Sequence, residues 1–202
     1  MKQLITALMF TLFAVPAVAD VTYTPETRSL SVTGGTTDWQ SILIHSAFRD
    51  NEIDTVYMSG PGGLLHAGFY IGRLLKEHQV RVIIPSATEC ASACAFAALG
   101  GEDVITDGAL LFHRPYFMQV PTMVTVEDIG AHSAMGYILW IEYMVEMGYP
   151  IAFVSHVTGL TNPCTFVQMF GEIEDYKGEP LDTIHAPATA IINKCGGEDN
   201  GS

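Results

Sequence analysis

The sequence predicts an α/β domain of repeated βαβ units, with a mostly parallel sheet or coil of strands and a helical C-terminal part. Three observations carry that expectation. Between residues 37 and 113, short β-branched runs alternate with segments whose apolar positions recur at helical spacing. Gly60-Pro61-Gly62-Gly63 and Gly100-Gly101 punctuate these segments as turns would. Of the 202 residues, 49% are apolar, enough to bury a sizeable core.

The elements follow in order. In residues 1–19 the only charge is Lys2, an apolar run extends from Leu4 to Val15, and Ala17-Val18-Ala19 supplies small residues for cleavage, so this segment reads as a secretory signal. An uncleaved anchor is the competing reading. Pro16 and the small-residue ending favour cleavage after Ala19, leaving one domain over residues 20–202 that is secreted or periplasmic and not held at a membrane. Val21, Tyr23, Leu30 and Val32 alternate and end at Gly34-Gly35, which predicts an N-terminal hairpin or strands. From Thr37 to Arg49, Trp39, Ile42, Leu43, Ala47 and Phe48 recur at helical spacing behind Asp38, a candidate cap.

Thr55 to Met58 is a short strand, followed by a helix from about Leu64 to His78 with Leu64, Leu65, Ile71, Leu74 and Leu75 on its buried side. Val80 to Ile84 is the next strand, stopped by Pro85. A small-residue helix from about Ala91 to Leu99 and a strand from Ala109 to His113 complete the alternation. Residues 114–125 read as loop or an antiparallel excursion. Val126 to Met147 is a long helix rich in Met and aromatics, broken at Pro150, and Ile151 to Val157 a shorter one. Its apolar stretch from Met135 to Met147 suits a buried helix, a subunit contact or an adaptable peptide-binding wall. The chain beyond is acidic and irregular, with a last apolar stretch within Asp182 to Lys194.

Charge narrows the function. The chain carries 22 acidic against 9 basic side chains, a net charge of −13. Nucleic-acid binding needs clustered Lys and Arg, which are missing. The same charge repels anionic lipids and phosphorylated cofactors such as coenzyme A. His45, His66, His78, His132, His156 and His185 show no metal-ligand spacing, so neither metal nor cofactor is expected.

In an exported chain Cys90, Cys94, Cys164 and Cys195 are disulfide candidates with three connectivities. Cys90 with Cys94 and Cys164 with Cys195 is preferred, because the second bridge would staple the C-terminal tail. If Cys90 and Cys94 shared a helix, their geometry for closure would be poor. A zinc site competes, but Cys-x-x-x-Cys lacks a matching second pair.

Two motifs carry chemistry. The first is Tyr57-Met58-Ser59-Gly60-Pro61-Gly62-Gly63, a strand running into glycines, where unshielded N–H groups could form an oxyanion hole. A plain strand-to-helix turn is the alternative. The second is Cys90-Ala91-Ser92-Ala93-Cys94, with Ser92 at the start of a helix, either as a nucleophile beside anion-stabilising N–H groups or as an ordinary helix cap. Leu111-Phe112-His113-Arg114-Pro115 then places a histidine at the next strand end, where it could act as general base.

Glycines, serine and histidine in successive βαβ units resemble the proteolytic subunit of the Clp protease and the wider Clp/crotonase superfamily. The likeness covers roughly residues 37–115. It implies a spiral of parallel strands, Ser92 as nucleophile, His113 as base, and the N–H groups of Gly62, Gly63 and Ala93 as oxyanion donors. It further implies an exported, ATP-independent peptidase acting on a peptide or protein substrate, and a homo-oligomer. The family's triad acid follows a Thr-Gly turn that Thr158-Gly159 resembles, which makes Glu172, Glu174 and Asp175 candidates, with Asn162 as another group able to orient the histidine. A non-catalytic peptide- or ligand-binding protein on the same fold is the alternative. The Ser-Lys branch would need Lys76, Lys177 or Lys194, none of which lies in a comparable motif, and crotonase chemistry would need coenzyme A.

Overall fold

The computed structural model describes residues 20–114, 126–161, 165–172, 177 and 189–193. Residues 1–19, which read as a secretory signal, lie outside them. Two strands, β1 (Asp20–Thr24) and β2 (Ser29–Thr36), form the expected antiparallel hairpin around a 3-10 turn at Pro25–Thr27. Helix α1 (Asp38–Asp50) follows, and its cap is Thr37 rather than Asp38: the Thr37 hydroxyl accepts from the Gln40 amide at 3.1 Å. The buried face of α1 is Gln40, Ser41, Ile44 and Phe48, which leaves Trp39 62% and Ile42 54% exposed. Gln40 can turn inward because its side-chain amide donates to the Thr33 carbonyl at 3.0 Å.

Strand β3 (Thr55–Gly63) continues through the glycines that the sequence placed in a turn, with a register shift between Thr33 and Gly35, after which Gly62 pairs with Gly35 and Gly63 with Thr36. Helix α2 (Leu65–Glu77) and strand β4 (Arg81–Ile84) come next. The chain then makes a turn at Pro85–Thr88, closed by the Thr88 hydroxyl donating to the Pro85 carbonyl at 2.7 Å, and enters a short strand, β5 (Glu89–Ala91). Helix α3 (Ala93–Ala98) and strand β6 (Val104–Phe112) complete the parallel part.

Strands β2, β3, β4 and β6 are neighbours in parallel. Strand β5 occupies the same slot as β4, between β3 and β6, but further along. Register aligns one apolar row across the sheet: Leu30 with Val56, Val56 with Val82, Val82 with Val104, all fully buried. A one-residue slip of any of these strands would turn its side chain out of that row, so the register is strongly specified.

Two helices follow, α4 (Val126–Glu146) and α5 (Ile151–Leu160), and then two strands, β7 (Thr165–Glu172) and β8 (Thr189–Asn193). The C-terminal part is therefore not helical alone. Strand β7 pairs antiparallel with β6, and β8 antiparallel with β7, giving the order β1-β2-β3-β4-β6-β7-β8. The result is a mixed α/β fold whose sheet is mostly parallel, with antiparallel pairs at its edges. Thr158 and Gly159 lie in the last turn of α5 rather than in a free turn.

Close packing of α2 on α3 depends on glycine. A Cβ on Gly68 would collide with the Ala93 carbonyl, and one on Gly72 with the Tyr143 hydroxyl. That hydroxyl donates to the Phe96 carbonyl at 2.7 Å, tying α4 to α3, and burial pushes the phenol well above its ordinary ionisation range. On α4, Trp140, Tyr143 and Met144 are buried, as is Met147 just beyond it, whereas Met135, Ile138, Leu139 and Val145 are exposed. Among the described residues no helix is long and apolar enough to cross a membrane, and no three His, Cys, Asp or Glu side chains converge as metal ligands.

Candidate active site

Strand registers bring the two motifs together. Gly60 pairs with Cys90, and Cys90 with Leu110, so Gly62, Ser92 and His113 all follow at the same end of these parallel strands. Main-chain bonding extends this register: the Ser92 amide donates to the Leu111 carbonyl at 2.9 Å. Contact closes it. A Cβ on Gly62 would lie 2.5 Å from the Ala91 oxygen, 2.6 Å from the Ser92 Cβ and 2.9 Å from the Ala93 nitrogen, so only glycine fits against this serine. Gly62 also has a φ of 88°, which L side chains rarely adopt. Gly63 abuts the other neighbour, because a Cβ there would strike the Thr36 carbonyl.

Ser92 joins β5 to α3 with φ 56° and ψ −124°, and its hydroxyl makes no capping bond. The ordinary helix-cap reading of this serine is therefore wrong. A cap residue is extended and accepts a bond from the first turn, whereas Ser92 sits in a sparsely populated region that costs about 1–3 kcal/mol. A serine on a strained strand-to-helix elbow has its hydroxyl held out of the helix end. The helix itself has only six residues, so it contributes local N–H groups rather than a sizeable macrodipole.

Cys90 and Cys94 are joined in a disulfide, with Cα atoms 5.2 Å apart. The two do not share a helix: Cys90 belongs to β5 and Cys94 to α3, which removes the geometric objection raised by the sequence. Cys164 and Cys195 lie outside the described residues.

His113 is 6% exposed. Its Nδ1 lies 2.8 Å from the Arg114 carbonyl, which can only accept, so Nδ1 carries the proton. In the neutral ring the lone pair then resides on Nε2, the tautomer that a base toward a hydroxyl requires. The Arg114 guanidinium stacks over the Tyr137 ring at 5.1 Å.

No protein-family profile matches this chain, and no curated protein does. Solved structures do match. A ClpP1 mutant from Listeria monocytogenes superposes with a TM-score of 0.50 at 17% identity, over 61% of this chain and 73% of that one. The fold is ClpP-like.

Within that ClpP-like fold the candidate orienting groups separate. Glu172 pairs with Ile105, whereas Phe112, beside His113, pairs with Val167. Between residues 105 and 113 lie 113 − 105 = 8 steps of strand, on the order of 25 Å, so the Glu172 backbone stands at the far end of β6. Glu174, Asp175 and Asn162 lie outside the described residues. A separate groove runs between α1 and α2, lined by Asp38, Ile42, His45, His66, Tyr70 and Arg73 among others; Ser92, His113 and Gly62 are not part of it. Its histidines are engaged, His66 with Asp38 at 2.7 Å and His45 with the Tyr70 hydroxyl at 2.5 Å.

The sequence missed β5, and with it the elbow. Its signal was there in principle: a three-residue run between a turn and a serine, too short for periodicity to detect.

Proposed function

We propose that this chain is an exported, ATP-independent serine hydrolase, a Clp-like peptidase that cleaves a peptide or protein substrate. The observation that carries this reading is Ser92 itself: a serine at positive φ, its hydroxyl withheld from the helix cap, packed against a glycine with no room for a side chain. Ser92 attacks the substrate carbonyl as His113 Nε2 takes its proton. The N–H groups of Gly62, Gly63 and Ala93 receive the developing oxyanion. The proton then passes from His113 to the leaving amine, and water repeats the sequence to release the acyl group.

The Arg114 carbonyl accepts from His113 Nδ1 and so supports the tautomer that a base toward Ser92 requires. Of the remaining candidates, Asn162 is closest in sequence to Thr165, where β7 begins beside the His113 end of β6. Export is supported by the signal-like first nineteen residues and by the disulfide, which persists in oxidising compartments. A homo-oligomer is part of the proposal, supported by the apolar stripe Met135, Ile138, Leu139 and Val145 on α4. Sedimentation of wild type beside Ile138→Glu tests it; a monomer in both would remove this part.

The test of the activity is labelling by a fluorophosphonate probe. Wild type should be labelled at Ser92 and should hydrolyse a chromogenic peptide, and Ser92→Ala should do neither. Equal behaviour of the two proteins would overturn the assignment. One observation favours a second reading, a binding protein that keeps the cleft: the Cys90–Cys94 disulfide closes directly around Ser92. That reading expects no labelling, with peptide affinity unchanged in Ser92→Ala.

A further inference from the structure

The disulfide closes a ring around the proposed nucleophile. Between Cys90 in β5 and Cys94 in the first turn of α3 lie Ala91, Ser92 and Ala93, with Ser92 at the midpoint. Both cysteines are buried, at 0% and 3% exposure. Each end is anchored independently. Cys90 is paired on both flanks, with Gly60 and with Leu110. On the other side, α3 is seated on α2, where the Ala93 carbonyl meets Gly68 with no room for a Cβ.

Local preferences oppose the conformation found inside the ring. A non-glycine residue avoids positive φ. A serine ahead of a helix prefers extended backbone and bonds its hydroxyl to an amide of the first turn, here that of Cys94 or Ala95. An extended junction of that kind carries the chain away from the strand. Disulfide closure requires Cα atoms within about 4.4–6.8 Å, a condition that favours reversal of the chain at Ser92.

We propose that the Cys90–Cys94 disulfide is a positioning device for Ser92, holding the elbow at positive φ and keeping its hydroxyl from relaxing into a helix cap. Its catalytic consequence rests on the reading of Ser92 as nucleophile; its structural part does not. Cys90 and Cys94 take no part in the reaction itself. They act through Ser92, so their loss should slow attack while leaving substrate binding in place.

The experiment compares wild type with Cys90→Ala/Cys94→Ala by crystal structure, probe labelling rate and steady-state kinetics. In the double variant Ser92 should move to negative φ with its hydroxyl accepting from the Ala95 amide. Labelling and kcat should fall on the order of 10²-fold, the effect of a small misplacement of a reacting group, with KM within about twofold. If the variant does not fold, wild-type crystals and solution are treated with a trialkylphosphine, which takes its oxygen from water and leaves as the oxide while the disulfide becomes two thiols. The same readouts then apply. Positive φ retained at Ser92 without the disulfide would overturn the proposal, as would an unchanged labelling rate in a protein whose wild type is labelled. Failure of wild type to label would instead sink the nucleophile assignment, and the φ of Ser92 alone would then decide the clamp.

Discussion

The Ser92 amide donates to the Leu111 carbonyl across 2.9 Å, two residues before His113. Elbow and histidine are thereby registered through main chain, on strands that pair independently of either side chain. Truncating one side chain should leave the other in place.

From that follows the first prediction. Ser92→Ala and His113→Ala should each retain a cooperative thermal transition and each lower kcat/KM by on the order of 10³-fold or more. Because the two act as a unit, the double variant should be no slower than the slower single one. A double variant whose losses multiply would show that serine and histidine work separately.

Gly62 gives a sharper test of the contact. Replacing it with alanine places a Cβ 2.6 Å from that of Ser92, at a φ of 88°. Probe labelling should drop on the order of 10²-fold. Urea unfolding should show a loss of about 1–3 kcal/mol. Gly35, its partner on β2, is the control: the nearest atoms to a Cβ there are 3.9 Å and 4.0 Å away, so Gly35→Ala should leave labelling at the wild-type rate.

Tyr143→Phe removes the donor that reaches the Phe96 carbonyl from α4. Phe96 is buried at 1% exposure, so its carbonyl would lose a partner within the core. Denaturant unfolding should report about 1–3 kcal/mol of destabilisation. A variant as stable as wild type would mean that α4 is held on α3 by packing alone.

Arg73 and Glu146 form a two-pronged ion pair at 2.7 Å between α2 and α4. The Arg73 hydrogen bond holds the Glu146 carboxyl below the ordinary glutamate range. A depressed folded-state value means that the unfolded chain binds the proton first. The pair's contribution is therefore complete above about pH 5 and lost as pH falls through the folded-state value. Both side chains are about half exposed, which limits the effect to under about 1 kcal/mol. Melting curves of wild type and Glu146→Gln should differ slightly near neutrality and converge as the pH falls through the depressed folded-state value of Glu146. A gap that widens with acid would contradict the pairing.

How far the sequence could be read depended on the length of each signal. Alternation over Val21 to Val32 and helical spacing over Leu65 to Leu75 are long enough to specify hairpin and helix, and both formed. Capping of α1 was misplaced by one residue because Thr37 and Asp38 are both good caps, and only geometry chooses between them. Strand β7 lies in a stretch that reads as acidic and irregular, and antiparallel partners far along the chain supply what local sequence does not. The glycines of β3 look like a turn to any local rule; their place in the sheet depends on β2 alongside. Ser92 was legible as a residue of interest. Its backbone conformation was not, since serine before a helix ordinarily predicts a cap.

Strands β4 and β5 share one slot, and the four residues joining them, Pro85 to Thr88, pass over Gly108, where a Cβ would meet the Thr88 carbonyl 2.6 Å away. Since β5 is held by β3 and β6 rather than by β4, this crossing is a natural place for chain length to vary. Relatives of this protein could lengthen or shorten the crossing without retuning the elbow beyond it, whereas a single residue inserted between Cys90 and Cys94 would move Ser92 off the midpoint of the disulfide ring.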